Sequence, residues 1–288
     1  MEIKVQKLSY KDLKDLTFTI ENKQITGITG SGKSSLLKLL NGIVQGKGII
    51  KYNNERKTLK NKRGLIKKVS LIKTTFENTF FCNTVEEHLI YFMQYYKLNI
   101  KDPQKKLEDS LKIVGLSPKY LSRNISTLST SEKKLLQIAT ALLSNPELIL
   151  LDDPFINLDN KNEKKLARLL DQLNDRFNIS IVIATNDSEI LYQYTKKLIL
   201  LENNTILLEG NTKEVYENVK FMREHNFEIP DIVMFTSIAK QEKNVKIDFH
   251  RDIRDLIKDI YKHVLKQKSV FHNHSIYFTI FIIIFSKK

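Results

Sequence analysis

A chain of 288 residues with 41% hydrophobic and 9% aromatic content can bury one large core or two modest ones, so a folded globular protein is expected. One cysteine, Cys82, excludes an internal disulfide and fits a reducing compartment. The net charge of +14 is spread along a chain rich in Lys, Asn and Ile, which reads as compositional bias, so no nucleic-acid partner is expected.

Met1-Glu2-Ile3-Lys4 lacks a charged-then-apolar leader, and no run reaches the roughly 18 apolar residues of a membrane helix, so a cytoplasmic chain is expected. Residues 3–9 and 16–20 alternate as two strands. Tyr10 lies between them, either stacking on an adenine or standing as a surface tyrosine at a turn. Gln24-Ile25-Thr26 reads as the end of a strand. It leads into Gly27-Ile28-Thr29-Gly30-Ser31-Gly32-Lys33-Ser34, which fits G-x-x-x-x-G-K-[ST] at every required position. Ser35 to Leu40 continues as an apolar-rich helix. Glycines let backbone wrap phosphates with no Cβ in the way. The N–H groups and the helix start then meet the anion with partial positive charge. Residues 27–35 are the expected nucleotide contacts, with Lys33 on the β- and γ-phosphates of ATP and the Ser34 hydroxyl on Mg²⁺.

Gly46 and Gly48 mark a turn, Ile49 to Tyr52 a strand, Asn53-Asn54 a hairpin turn and Val69 to Ile72 another strand. Helices are expected over 85–97 and 103–116, started by Pro103 and ended near Gly115, within a helical insert of about residues 77–130. Ser129 and Glu132 form a capping box before a helix with Leu135, Ile138, Ala139, Leu142 and Leu143 on one face. Asn145-Pro146 ends it. Leu148 to Leu151 runs apolar without interruption, as a doubly buried strand should. It delivers Asp152 and Asp153 at its C-terminal end, where ligands bind in parallel sheets. Residues 161–176 read as a charged helix, Ser180 to Ala184 as a buried strand before Thr185-Asn186-Asp187, and 198–208 as a hairpin around Asn203-Asn204. Residues 211–268 read as mostly helical, with Pro230 opening one helix and a second over roughly 250–266. The apolar run from Ile276 to Phe285 is too short to span a bilayer as a helix. It reads either as a packed strand or as a shallow membrane contact.

This order resembles the nucleotide-binding subunits of ABC transporters over nearly the whole chain to about residue 268. Leu148 to Pro154 is similar to their Walker B strand and Asn157-Leu158-Asp159 to the D-loop. Leu128 to Glu132 takes the place of the signature Leu-Ser-Gly-Gly-Gln, Asn186 that of the switch histidine, and Thr74 that of the Q-loop glutamine. Glu209 to Val215 resembles the family's Glu-Gly-Thr-Pro-x-Glu-Val turn. Phe221 to Pro230 resembles the added domain of energy-coupling-factor (cobalt/vitamin-type) ATPases. The resemblance implies an α/β P-loop NTPase: a parallel-core sheet, N-terminal antiparallel strands, the helical insert and a small C-terminal helical domain. The implied division is 1–210, 211–270 and a tail, 271–288. It also implies a homo- or heterodimer with a second ATPase subunit, beneath a transmembrane coupling protein and a substrate-binding membrane subunit, at the cytoplasmic face of the membrane.

Four departures bear on activity. The family's catalytic glutamate is here Asp153, one methylene shorter, and a displacement of 1 Å can cost on the order of 100-fold. Asn186 cannot take up a proton, though its amide can donate to a γ-phosphate. Thr74 can touch a metal-bound water but is shorter than glutamine. In the signature, Thr130 and Ser131 replace glycines and Glu132 brings negative charge toward a partner's phosphate. Lys33, Ser34 and Asp152 are intact, so MgATP binding is expected to survive better than hydrolysis. The expected reading is an ATPase subunit energising uptake of a vitamin or metal ion. The alternative is a nucleotide-binding regulatory subunit paired with an active ATPase.

Overall fold

The N-terminal strands β1 (Ile3–Tyr10) and β2 (Leu13–Ile20) pair antiparallel and bury Ile3, Val5, Leu8, Leu13, Leu16 and Phe18 on one face. In this computed structural model residues 1–56, 62–74, 79–243 and 247–268 are described. The apolar run 276–285 and the first residues of the insert, 77 and 78, lie outside them. β2 begins three residues before the alternation predicts. Asp15 takes a left-handed φ of 48°, and the pairing register shifts between Leu8↔Leu16 and Tyr10↔Leu13. That irregularity lets Leu13 and Leu16, three apart, share the buried face.

β3 (Ile25–Gly30) runs into the phosphate loop and α1 (Lys33–Asn41) follows it. β4 (Lys47–Tyr52) and β5 (Glu55–Arg56) form the expected hairpin, with Asn53 and Asn54 both at positive φ as a two-residue turn requires. α2 (Lys62–Lys68), which the sequence reading did not anticipate, precedes β6 (Val69–Ile72). The insert holds α3 (Val85–Tyr95), capped by a Thr84–Glu87 box, and α4 (Pro103–Ile113), capped by Asp102 with Pro103 in the first turn. Both helices stop sooner than expected, where Lys97 (φ 49°) and Gly115 (φ 76°) turn left-handed.

After the insert come α5 (Thr130–Leu142), β7 (Leu148–Asp152), α6 (Asn160–Phe177), β8 (Ser180–Ala184), α7 (Ser188–Tyr194), β9 (Lys197–Glu202) and β10 (Thr205–Asn211). One sheet has the order β2-β1-β4-β5, the other β10-β9-β3-β8-β7-β6. The second is parallel from β9 to β6, with β10 as an antiparallel edge. Its central strands β3, β7, β8 and β9 are buried on both faces, and the edge strand β10 is not. Leu148 and Leu150 join the core shared with α1 and the antiparallel sheet, whereas Ile149 and Leu151 join the core under the insert, α5 and α6. Period-two alternation between two apolar layers explains an uninterrupted apolar run.

α8 (Thr212–Glu217) and α9 (Val219–Glu224) belong with the first of two compact units, which divide between Glu228 and Ile229. The expected boundary after residue 210 falls inside a packed region. The Thr212 amide donates to Lys196 O at 3.0 Å, the Thr195 and Thr212 hydroxyls meet at 2.8 Å, and Tyr192 packs edge-on against Tyr216. The second unit carries α10 (Asp231–Lys243) and α11 (Ile253–Lys268). Within it, His250 Nε2 lies 3.1 Å from an Asp259 oxygen, and the Lys240 ammonium sits 4.0 Å from the Phe249 ring centroid. Among the described residues no helix is long and apolar enough to cross a membrane.

Candidate nucleotide-binding site

Where β3 ends, Gly30 (φ 101°) and Gly32 (φ 87°) turn the chain into α1. A Cβ on Gly30 would collide with the Leu201 carbonyl, and one on Gly32 would press on the Leu13 side chain. The motif's glycines therefore answer both backbone conformation and close packing. β9 and its turn brace the loop from behind: Ser31 N–H donates to Leu201 O at 3.3 Å, and Asn204 N–H donates to the Ser31 hydroxyl at 3.1 Å.

The loop opens on a cleft of about 610 Å³ lined by Thr29, Gly30, Ser31, Gly32, Lys33, Ser34 and Ser35, with Asn186 opposite and Asn226, Phe227 and Glu228 at the side. Three of the expected contacts do not line it. Gly27 and Ile28 lie within β3, Ile28 wholly buried in the inter-sheet core, so only their main chain belongs to the strand that leads into the loop. Tyr10 is half-buried at the β1–β2 turn, packed on the same core, with the Lys11 ammonium 5.6 Å from its ring centroid. Asn226, Phe227 and Glu228 were not anticipated. The only local signal for them was a short segment following α9.

The Ser34 hydroxyl donates to Asp152 Oδ1 at 3.0 Å. Burial raises the Asp152 pKa above the usual carboxylate range, the Ser34 hydrogen bond opposes that, and Asp153 adds to it. The Thr74 hydroxyl, just past the end of β6, donates to the Asp152 main-chain carbonyl, so it braces the carboxylate's backbone. Asn186 Oδ1 accepts from Lys33 Nζ at 3.0 Å, Gly30 N–H at 3.2 Å and the Thr29 hydroxyl at 3.3 Å. Three donors of the phosphate loop thus converge on one amide oxygen, an orientation fixed by that network.

Asp153 is outside the lining. It follows β7 with a left-handed φ of 46°, its N–H donating to Ala184 O at 2.8 Å. The signature residues are also outside it. Ser129 caps α5, Thr130 is exposed, and Ser131 is half-exposed beside Ser129. Glu132 departs from expectation. One of its oxygens accepts from the Ser129 N–H at 2.8 Å, and the other from the Tyr120 hydroxyl at 2.6 Å and Arg123 Nη1 at 3.4 Å. The Tyr120 hydrogen bond, foremost, holds its pKa below the usual range despite partial burial. Its negative charge is turned to its own helix start and the insert instead of outward.

Among the described residues no group of three or more His, Cys, Asp or Glu gathers for a metal. The Ser34 hydroxyl and Asp152 carboxylate are a pair of hard oxygen donors of the kind that binds a small divalent cation together with phosphate oxygens and water.

A family model described as ABC transporter matches residues 13–156. The chain is 30% identical over 261 residues to the energy-coupling factor transporter ATP-binding protein EcfA3 of Oenococcus oeni, covering 87% of this chain and 89% of that one. It is 30% identical over 242 residues to EcfA2 of Streptococcus thermophilus, covering 81% and 86%. The solved structure of cbiO1 from Clostridium perfringens, part of the ABC transporter complex cbiONQ, superposes with a TM-score of 0.70 at 26% identity, over 82% of this chain and 98% of that one. A phosphate loop backed by Asp152, set in such a sheet and matched over this length, places the chain in the ABC transporter family of ATPases, among the energy-coupling factor transporter ATP-binding proteins.

Proposed function

We propose that this chain, paired with a second ATPase subunit as a homo- or heterodimer, couples MgATP binding and slow hydrolysis to uptake of a vitamin or metal ion. The observation that carries the reading is the Ser34–Asp152 hydrogen bond beside three convergent loop donors. The loop N–H groups and Lys33 take the β- and γ-phosphates, and Lys33 offsets the charge that spreads over the transferred group. Ser34 and Asp152 would hold Mg²⁺, with Thr74 steadying the Asp152 main chain. The ion would supply positive charge against the phosphates when bound.

Asp153 orients the attacking water from the turn after β7. Asn186 releases the loop and presents its amide N–H to the γ-phosphate. Tyr10 stacks on the adenine. Ser129, Thr130 and Ser131 face the partner's nucleotide, with Glu132 fixing the helix start behind them. The partners are a transmembrane coupling protein and a substrate-binding membrane subunit, with this chain peripheral on the cytoplasmic face. An exposed aromatic group on the insert, Phe81, Tyr91 and Tyr95, supports a surface that meets another protein.

The test uses the assembly reconstituted in liposomes. Lys33→Ala should abolish retention of radiolabelled ATP and uptake together. Unchanged retention and uptake would refute the reading. Asp153→Ala should lower turnover by more than about tenfold, the range for loss of a water-orienting base. A smaller change would transfer the hydrolytic role to the partner subunit.

A further inference from the structure

Lys134 is a lysine in the interior of α5, 5% exposed. Among the described residues no carboxylate pairs with its ammonium at contact distance. It donates to two main-chain oxygens, Pro154 O at 2.6 Å and Ile156 O at 2.7 Å. A buried cation held by carbonyl dipoles is costly unless its geometry is well satisfied. Two short charge-assisted bonds satisfy it, and they fasten the turn that follows Asp153.

Beside those bonds, the Asp153 N–H donates to Ala184 O at 2.8 Å and Phe155 is buried in the core. Asp153 and Asn157 both take left-handed backbone, at φ 46° and 60°. The internal bonds are Ile156 N–H to Asp153 O at 3.4 Å and Leu158 N–H to Phe155 O at 3.2 Å. Phe155 stacks on Tyr194 at 5.7 Å between centroids. Left-handed backbone at a non-glycine residue persists only where surroundings over-determine it. The same helix that carries Lys134 is anchored at its start through Glu132 to Tyr120 and Arg123 of the insert.

We infer that Lys134 is a positioning residue for hydrolysis: its two main-chain bonds fix the 153–158 turn, set the direction of the Asp153 side chain, and tie that turn to the helix bearing the signature residues. Burial pushes the Lys134 pKa down to about 8 while the Asp153 carboxylate opposes the fall, in keeping with an ammonium held near that carboxylate. The catalytic arm of this inference rests on the ATPase reading proposed above; the structural arm does not.

The experiment compares wild type, Lys134→Met and Lys134→Arg in the full chain. Amide hydrogen exchange of nucleotide-free protein reads the turn. MgATP affinity and single-turnover hydrolysis in the paired assembly read the site. Lys134→Met should speed exchange at least tenfold at residues 153–158 while β7 and β8 stay protected. MgATP affinity should stay within about threefold, and the hydrolysis rate should fall at least tenfold. Lys134→Arg, which keeps two donors, should recover much of both. Unchanged exchange over 153–158 overturns the inference, as does faster exchange throughout α5, β7 and β8, which marks a merely structural lysine. Nucleotide affinity falling in step with the rate also overturns it. A wild type that hydrolyses nothing refutes the ATPase reading, and the exchange data still decide whether Lys134 holds the turn.

Discussion

Asn186 occupies with a single oxygen the space around which Thr29, Gly30 and Lys33 aim their donors. A phosphate must displace that oxygen. Asn186→Ala should therefore tighten ADP binding by about threefold to tenfold, since a hydrogen bond to a charged donor nets about 1.5–3 kcal/mol and water replaces part of it. Titration calorimetry of both proteins measures this, and weaker ADP binding in the variant would count against the displacement. A second residue sets an acid limit. His88 is 1% exposed, its Nδ1 has no hydrogen-bond partner among the described residues, and its ring packs about the rings of Phe80 and Phe92 at 5.0 and 4.9 Å. Burial lowers its pKa to about 4 from 6.5. The unfolded chain therefore takes up the proton first as pH drops. The stability present above pH 6.5 is lost as pH falls toward 4, by about 2 kcal/mol at pH 5. Urea midpoints at pH 7 and pH 5 should differ less in His88→Phe than in wild type; an equal difference would refute the assignment.

At the scale of elements, legibility followed the strength of local signals. The phosphate loop, the Pro103 and Ser129 helix starts and the Asn-Asn hairpins could be read because each is specified by residues adjacent in the chain. The left-handed Asp15, the extra helix α2 and the Asn226–Glu228 side of the cleft could not, since their cause is packing against distant segments. Glu132 shows the same division. Its capping role was visible from its spacing to Ser129, but its bonds to Tyr120 and Arg123 depend on how the insert folds back. The insert also presents Phe81, Tyr91 and Tyr95, 57%, 42% and 56% exposed, with Phe81 edge-on to Tyr91 at 4.8 Å. Aromatic side chains gathered on a surface mark contact sites. Changing all three to Ser should leave MgATP affinity unchanged and abolish co-purification with the membrane partners. Undiminished co-purification would move the docking surface elsewhere.

For the molecule as a whole, the α/β class was what the family resemblance implied, and uninterrupted apolar runs marked the individual buried strands, while the implied boundary after residue 210 differs from the division between Glu228 and Ile229. Residues 211–228 look like the beginning of a separate helical region, yet Thr212, Tyr216 and His225 fasten them to the first unit through Lys196, Tyr192 and Glu202. This is why the cleft acquires Asn226, Phe227 and Glu228 as a wall. One turn has a wider reach. Asn204 donates its N–H to Ser31 of the phosphate loop and offers its carbonyl to the Lys14 amide at 3.2 Å in β2. The loop is thus buttressed like a keystone between the two sheets. A triphosphate arrives at a cradle already set, with no folding of the cradle to offset its affinity.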